Sequence, residues 1–302
     1  MMVERWVEKR EGRKMNSQLS ERIKQNSPKF SKGQRAIARY IEEHGEKVAF
    51  MTASKLGTAV GVSESTVVRF ATEIGYSGYP ALQQAMQEMI RSKMTSVQRL
   101  ERTSSNIAPE DLLDAVLDQD IDILKRTKEN MDRDSFYRAV DALIQAKRVF
   151  VLGAGSSLAL ATFLAHYLRL VFNTVQLIDA TSEASILQQL VNVDEGDAII
   201  VVSFPRYSKK ASKTLKYAVD RGMTTIAITD SHLSPLANYA EHLLLARSDM
   251  VSFVDSLVGP LSVINALIVT AAIRKKDEVA ESLQRLEDIW EEYQIYEKVD
   301  AT

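Results

Sequence analysis

The chain has 302 residues, of which 45% are hydrophobic and 26% are charged. That length suits two domains, and the apolar fraction lets each of them bury a core. The sequence contains no cysteine and four scattered histidines, which excludes disulfides, thiolate metal sites and a cysteine nucleophile. The histidines do not have the spacing of metal ligands, so we expect neither a metal nor another cofactor.

The net charge of −2 conceals an uneven distribution. Residues 1–105 contain 18 Lys and Arg against 11 Asp and Glu, a net of +7, whereas residues 106–302 contain 20 against 29, a net of −9. A basic first third favours contact between that part of the chain and a polyanion. No apolar run approaches the ~20 residues of a membrane span, and no apolar segment typical of a secretory signal opens the chain. We therefore expect a cytoplasmic protein without a membrane partner.

The N-terminal part is predicted to be helical. Residues 1–14 are charged and lack periodicity, so they are expected to form a disordered or extended tail before a helical domain over residues 15–94. Ser31 and Gln34 have the spacing of a capping box, which predicts the start of a helix that ends near His44. The apolar face of this helix comprises Ile37, Tyr40 and Ile41.

Residues 52–75 have the pattern of a helix-turn-helix. This motif needs a small residue where its two helices touch, a glycine in the turn, and apolar residues that anchor the second helix. Gly57 is the small residue and Gly61 is the turn glycine. The anchors are Val62, Val67 and Phe70. The alternative is a helical hairpin without a role in DNA binding, because glycine-containing turns between helices are common.

The second helix of this motif is predicted to enter the major groove of DNA. Ser63 follows the turn and is expected to cap the helix through its hydroxyl. Serine and threonine hydroxyls bond bases or phosphates, while Arg69 can grip guanine at two points or bind a phosphate. Further phosphate contacts are expected outside this helix. The predicted DNA-binding residues are Lys55, Ser63, Glu64, Ser65, Thr66, Arg69, Tyr76 and Tyr79.

A linker and connecting helices are predicted over residues 95–147, with a polar linker over 95–109. From residue 148 short β-rich runs alternate with helical stretches, which predicts βαβ units and hence an α/β domain over 148–302 with a parallel sheet covered by helices on both faces. The predicted strands are 149–152, 174–178, 198–202, 224–228 and 242–245, and two helices near 257–275 and 277–296 end the chain.

Polar loops follow several predicted strands, where open parallel sheets bind their ligands. The loop after the first strand combines two glycines, which permit a close backbone approach, with serines at a helix N-terminus, and this suits a phosphate or carboxylate. It lacks the third glycine of a dinucleotide fingerprint and the lysine of a P-loop. A tight turn without a ligand is the alternative. The predicted effector-binding residues are Gly153, Gly155, Ser156, Ser157, Ser203, Arg206, Ser208 and Thr229.

Together these motifs resemble the RpiR (MurR/RpiR) family of regulators. The resemblance covers nearly the whole chain after residue 15. It rests on VSESTVVRF at 62–70, GYSGY at 75–79, the Gly-x-Gly-x-Ser loop that ends at Ser157, and ITDS at 228–231. It implies an N-terminal helix-turn-helix domain and a C-terminal flavodoxin-like SIS (sugar isomerase) domain. It also implies a homodimer or homotetramer that binds palindromic operators in double-stranded DNA, with operator affinity altered by a phosphosugar.

The same resemblance assigns the phosphate contacts to Ser156, Ser157, Ser203 and Ser208. The second loop departs from the family, which usually has Ser-x-Ser-Gly-x-Thr, because Pro205 and Arg206 stand at the central Ser and Gly. Proline removes a hydroxyl and an amide donor, and arginine replaces a flexible residue by a bulky cation. A sugar phosphate and a differently shaped carboxylate or phosphate metabolite both stay open as the effector.

Two other functions are alternatives to DNA-binding transcription regulation. A sugar-phosphate isomerase or hydrolase needs a base beside the sugar, and Glu183, His166 and His232 are available. A glutamate on a helix is usually a solvated residue, however, and a lone histidine is usually structural, so we expect no enzymatic activity. The other alternative is an α/β domain that serves only as a dimerisation scaffold without a ligand.

Overall fold

The computed structural model describes residues 17–93, 95–249 and 251–296, and only the backbone of residues 17, 18, 88, 89 and 91–93. The tail predicted over residues 1–14 lies outside the described residues. The chain divides into two compact units, Met1–Thr95 and Ser96–Thr302. The proposed domain limits of 15–94, 95–147 and 148–302 stay a prediction.

The described part of the first unit is helical, as predicted. Its helices are α1 (Ser17–Asn26), α2 (Lys32–Val48), α3 (Ala53–Val60), α4 (Glu64–Glu73) and α5 (Tyr79–Lys93). They enclose one apolar core, whose fully buried members include Ile37, Ile41, Leu56, Val67, Phe70, Leu82 and Met86. These residues recur three or four positions apart, so each helix turns one face inward.

The start of α2 confirms the predicted capping box. The Ser31 side chain accepts a hydrogen bond from the Gln34 backbone N–H at 3.3 Å, and the Gln34 side chain accepts one from the Ser31 N–H at 2.8 Å. The predicted end near His44 is wrong. Only His44 departs from helical backbone angles (φ −132°, ψ 31°), and α2 continues to Val48. Val48 is fully buried, so tertiary packing of the last turn overrides the local break signal.

The second unit contains a five-stranded sheet. Its strands are β1 (Val149–Gly153), β2 (Val175–Leu177), β3 (Ala198–Val202), β4 (Thr224–Thr229) and β5 (His242–Leu245). All pair in parallel, in the order β2-β1-β3-β4-β5. The α/β fold class and the five predicted strand positions are therefore confirmed. The order reverses between β1 and β3, which makes their carboxyl ends the point where ligands bind in sheets of this kind.

The helices of the second unit cover both faces of the sheet. They are α6 (Ser96–Asn106), α7 (Leu112–Asn130), α8 (Arg133–Gln145), α9 (Ser157–Leu168), α10 (Glu183–Gln189), α11 (Lys209–Asp220), α12 (Val258–Arg274) and α13 (Lys276–Glu292). One core cluster joins α8, α9 and α12 to the sheet, and another joins α10 and α11. Every residue of β1 and β3 is buried, which explains their continuous apolar sequences.

Helix α6 replaces most of the polar linker predicted over residues 95–109, so that prediction is wrong for 96–106. Its buried residues are polar: Arg99 is 6% exposed and Thr103 is 9% exposed. The Thr103 hydroxyl donates a hydrogen bond to the Val251 carbonyl at 2.7 Å. Because the packed side of α6 is polar, apolar periodicity could not reveal it.

No single helix in the part of the chain that the structure describes has the length and apolarity to cross a membrane. Helices α12 and α13 meet those criteria only as a pair, and they are bent by 101° where they join.

Candidate DNA-reading helix and anion site

Helices α3 and α4 form the predicted helix-turn-helix. A Cβ atom at Gly57 would lie 2.8 Å from the Val62 carbonyl oxygen and 3.4 Å from the Glu64 nitrogen. Only glycine therefore lets the two helices approach this closely. Gly61 ends α3 in the left-handed region with φ 76°, and Phe70 is fully buried. The positions predicted for the motif are confirmed as its structural framework.

The N-terminal turn of α4 presents polar groups to solvent. Ser63 caps the helix, since its Oγ accepts a hydrogen bond from the Thr66 N–H at 3.3 Å. The Ser63 hydroxyl also lies 2.9 Å from the hydroxyls of Ser65 and Thr66. Glu64, Ser65 and Arg69 are exposed, as is Lys55 on α3. The accessibility that base or phosphate contacts require is therefore present at these positions.

The two predicted tyrosines differ. Tyr79 is 3% exposed and its hydroxyl donates a hydrogen bond to the Met51 carbonyl at 2.8 Å. Burial raises the pKa of Tyr79 to about 12. The phosphate contact predicted for Tyr79 is thus wrong, because its ring belongs to the core. Tyr76 is half-buried, with the Arg22 guanidinium 5.0 Å from the centre of its ring. Arg22 is therefore a cation beside Tyr76 that the sequence pattern did not indicate.

The loop after β1 turns directly into α9. A Cβ atom at Gly153 would lie 2.3 Å from the Ser157 carbonyl oxygen and 2.8 Å from the Ala161 Cβ, so glycine lets the helix begin against the strand. Ser157 is 4% exposed. Ser156 is exposed, and its hydroxyl donates a hydrogen bond to Asp255 Oδ2 at 3.0 Å.

The loop after β3 brings the second group of predicted residues to the same edge of the sheet. Ser203 Oγ accepts a hydrogen bond from the Ser208 N–H at 3.3 Å, and Ser208 caps α11. Arg206 adopts the left-handed conformation with φ 67°, the conformation that glycine favours. Its Nη1 donates a hydrogen bond to Ser96 Oγ, on α6, at 3.3 Å. The backbone thus keeps a shape suited to glycine although arginine occupies the position.

Thr229, at the end of β4, has a supporting role. It is fully buried, and its hydroxyl donates a hydrogen bond to the Ser203 carbonyl at 2.7 Å. The effector contact predicted for Thr229 is therefore wrong, because the residue holds the Ser203 loop from beneath. Tyr207 lies in the same loop as Ser203, and its hydroxyl donates a hydrogen bond to Asp230 Oδ1 at 2.8 Å.

Two charged residues that the sequence analysis missed lie at this edge. Asp255 reaches Ser156 from the loop between β5 and α12, and only the fold brings them together. Arg99 lies on α6, and its burial lowers the pKa of its guanidinium, with a further decrease from Arg206 and an opposing increase from Asp255. These electrostatic effects require Arg99, Arg206 and Asp255 to lie near one another.

Glu183, a base considered for isomerase chemistry, is engaged elsewhere. Both of its carboxylate oxygens lie 2.9 Å from Lys213 Nζ, and both side chains are more than half exposed. This is an ordinary solvated ion pair on a helical surface. His166, another of these candidates, packs edge-on against the ring of Tyr167.

Comparison with known proteins gives a family match within each of the two units. Residues 17–93 match the family model of the RpiR-family helix-turn-helix domain, and residues 142–270 match that of the SIS domain. The transcriptional regulator HexR of Pseudomonas aeruginosa is 25% identical over 89% of this chain and 94% of its own length.

Solved structures have the same architecture. The sugar isomerase domain of the RpiR transcription factor from Sphaerobacter thermophilus is 32% identical and has a TM-score of 0.56, over 59% of this chain and 99% of that one. NanR of Vibrio vulnificus, solved in complex with ManNAc-6P, is 24% identical with a TM-score of 0.55, over 90% of this chain and 98% of that one. At that identity NanR shows the shared fold alone.

A helix-turn-helix domain followed by a SIS domain defines a DNA-binding transcription regulator. The two matched domains, the alignment with HexR across both of them, and the 32% identity to the sugar isomerase domain of an RpiR transcription factor place the chain more narrowly. The chain belongs to the RpiR family of regulators.

Proposed function

We propose that this regulator changes its operator affinity when an anionic metabolite, a sugar phosphate, binds at the carboxyl ends of β1 and β3. The observation that carries the proposal is the convergence of two serine-rich loops at the point where the strand order reverses. Each loop leads into a helix of 12 residues, whose free amides and dipole favour a phosphate. NanR, which has this fold, is described in complex with a sugar phosphate.

The proposed phosphate contacts are Ser156, Ser157, Ser203 and Ser208, with the backbone of Gly153 and Gly155 and the cation of Arg206 beside them. Effector and operator then change each other's affinity by the same factor. The protein acts in the cytoplasm, where its DNA lies, and catalyses no reaction. Conversion of any of a panel of sugar phosphates by the purified protein would contradict the absence of catalysis.

For DNA, we propose that α4 enters the major groove, where Ser65, Thr66 and Arg69 contact the bases or phosphates. Ser63, Glu64, Lys55 and Tyr76 lie around them as further contacts. Two copies of the motif dock on half-sites of a palindrome that lie roughly 34 Å apart, one turn of the double helix.

A homodimer or homotetramer is part of this proposal. Leu113, Leu117, Ile121 and Leu124 on α7 are exposed large apolar residues, and their spacing places them on one helical face. An exposed apolar stripe of this kind is typical of a protein–protein interface, and a second copy would cover it symmetrically. Light scattering by the full chain measures the oligomeric state.

Arg69→Ala is expected to weaken operator binding by about 1–3 kcal/mol, because a two-point contact with guanine is lost. The measurement is a titration of labelled operator at fixed salt. Arg39→Ala, an exposed arginine on α2, controls for the loss of one positive charge. If both variants bind like the wild type, Arg69 does not read the operator.

Ser157→Ala is expected to abolish the response to the effector while operator binding by the free protein is unchanged. The reason is that the anion loses a hydroxyl donor at the N-terminus of α9. Operator titrations with and without a mixture of hexose and pentose phosphates measure the response, with Ser282→Ala on α13 as the control. A normal response in Ser157→Ala would show that the first loop does not hold the anion.

A further inference from the structure

We propose that α6, the helix that directly follows the DNA-binding unit in the chain, is part of the effector site. In this arrangement Arg99 binds the anion together with Arg206, and Asp255 is a resident carboxylate that the anion displaces. The inference rests on the proposed function and adds to it residues outside the serine loops.

Hydrogen bonds hold α6 against two loops that follow the carboxyl ends of strands β3 and β5. At its first residue, Ser96 Oγ accepts a hydrogen bond from Arg206 Nη1 of the β3 loop at 3.3 Å. Two turns later, Thr103 donates to the Val251 carbonyl, in the loop that carries Asp255, at 2.7 Å. Arg99 lies between these two anchors on the buried side of the helix. Its guanidinium therefore belongs to the same cluster as the β3 loop and Asp255.

The cluster combines cations with a carboxylate and with buried polar atoms. Arg99 and Arg206 are cations, and Asp255 is a carboxylate. Arg206 lowers the pKa of Arg99, whereas Asp255 raises it. Arg206 is exposed to solvent and Arg99 is buried, so an incoming anion meets the Arg206 cation first. Asp255 Oδ1 and Ser252 Oγ are buried and have no hydrogen-bond partner among the residues that the structure describes. A doubly charged phosphate is attracted by both guanidinium groups, and its oxygens accept charge-assisted hydrogen bonds.

Asp255 and the anion compete for Ser156. The Ser156 hydroxyl, one of the proposed phosphate contacts, donates a hydrogen bond to Asp255 Oδ2 at 3.0 Å. When a phosphate accepts this hydrogen bond, the carboxylate has to leave, because two anions at one donor repel each other. Movement of Asp255 acts on the loop that Thr103 binds. The displacement is thus transmitted to α6, and α6 begins where the DNA-binding unit ends.

The test measures the affinity of the full chain for inorganic phosphate and for glucose 6-phosphate by calorimetry, without DNA and at constant ionic strength. Arg99→Gln is expected to lower the affinity for both by about tenfold or more, the usual effect of one charge-assisted hydrogen bond. Arg102→Gln, an exposed arginine three residues further along α6, should change it less than about twofold. Asp255→Asn is expected to raise it several-fold, because the competing charge is gone.

Comparison of the variants separates this inference from the proposed function. If Ser157→Ala loses phosphate binding while Arg99→Gln keeps it, the anion site stands and the role of α6 is overturned. Weaker binding in Asp255→Asn also overturns the displacement, since it would make Asp255 a ligand contact. Failure of the wild type to bind either compound overturns both proposals. Should Arg99→Gln unfold, Arg99→Met takes its place because it keeps a long apolar side chain without the charge, and wild-type affinity in that variant overturns the role of Arg99.

Discussion

Gly57→Leu is expected to abolish operator binding by unfolding the first unit while the second unit stays folded. The new Cβ atom would lie 2.8 Å from the backbone oxygen of Val62, and this atom cannot move without breaking the turn between α3 and α4. Overpacking of this kind costs about 3 kcal/mol or more, a large part of the stability of a unit this small. Circular dichroism melting of the full chain should show the first transition shifted down or lost.

Gly45→Leu is the matched control. A Cβ atom at Gly45 meets no described heavy atom within 4 Å outside its own helix, and leucine is a better helix former than glycine by about 1 kcal/mol. This variant should melt at or above the wild-type temperature and bind the operator normally. Equal loss of stability in both variants would show that the close contact at Gly57 is not the cause.

Asp197→Ala is expected to destabilise the second unit by about 2–3 kcal/mol, because it removes the buried carboxylate of an ion pair whose Arg148 partner is 35% exposed. Asp197, just before β3, is fully buried. Arg148 donates two hydrogen bonds to its carboxylate, one of them to Oδ1 at 2.9 Å, and the Asp194 N–H donates to Oδ2 at 3.0 Å. Three donors therefore lose their acceptor. Asp220→Ala, which removes an exposed ion pair with Lys216, should have almost no effect.

The pH dependence of the same variant follows from linkage. Burial raises the pKa of Asp197, but the hydrogen bonds from Arg148 and Asp194 lower it more, so its pKa in the folded protein lies below the usual value. The carboxylate then contributes stability above the unfolded pKa of about 3.9 and loses it as pH falls through the folded value. Denaturant titrations should therefore show a gap between wild type and Asp197→Ala that is constant near neutral pH and narrows below about pH 4. A gap that widens in acid would contradict this assignment.

The sheet was predictable from sequence because its central strands are buried on both faces. Such strands appear as continuous apolar runs between helical stretches, and Val149–Gly153 and Ala198–Val202 lie where the runs were. The helix-turn-helix was predictable for another reason. Gly57 lies at a close contact that leaves no space for a Cβ atom, and Gly61 has a left-handed conformation that glycine adopts most readily. The spacing of these two glycines is therefore a strong signal.

Side chains that face inward although they are polar could not be predicted in this way. The polar run at 103–106 made α6 look like a linker, and Tyr79 looked like a surface residue because tyrosine is common at both kinds of site. Asp255 lies 99 residues from Ser156 in sequence, so only the closed fold makes them neighbours. The departure at Pro205 and Arg206 was visible, but the contact of Arg206 with Ser96 needed α6 in its place.

The conformation at Arg206 has a consequence for selectivity. Proline at 205 restricts its own backbone, and Arg206 is held in the left-handed region while its guanidinium is tied to Ser96. These restraints limit the conformations of the loop before a ligand arrives, so we expect binding to cost less conformational entropy than it would with a glycine there. A preorganised loop also adapts poorly to a second shape. We expect this regulator to answer to few metabolites and to ignore close chemical relatives of its effector.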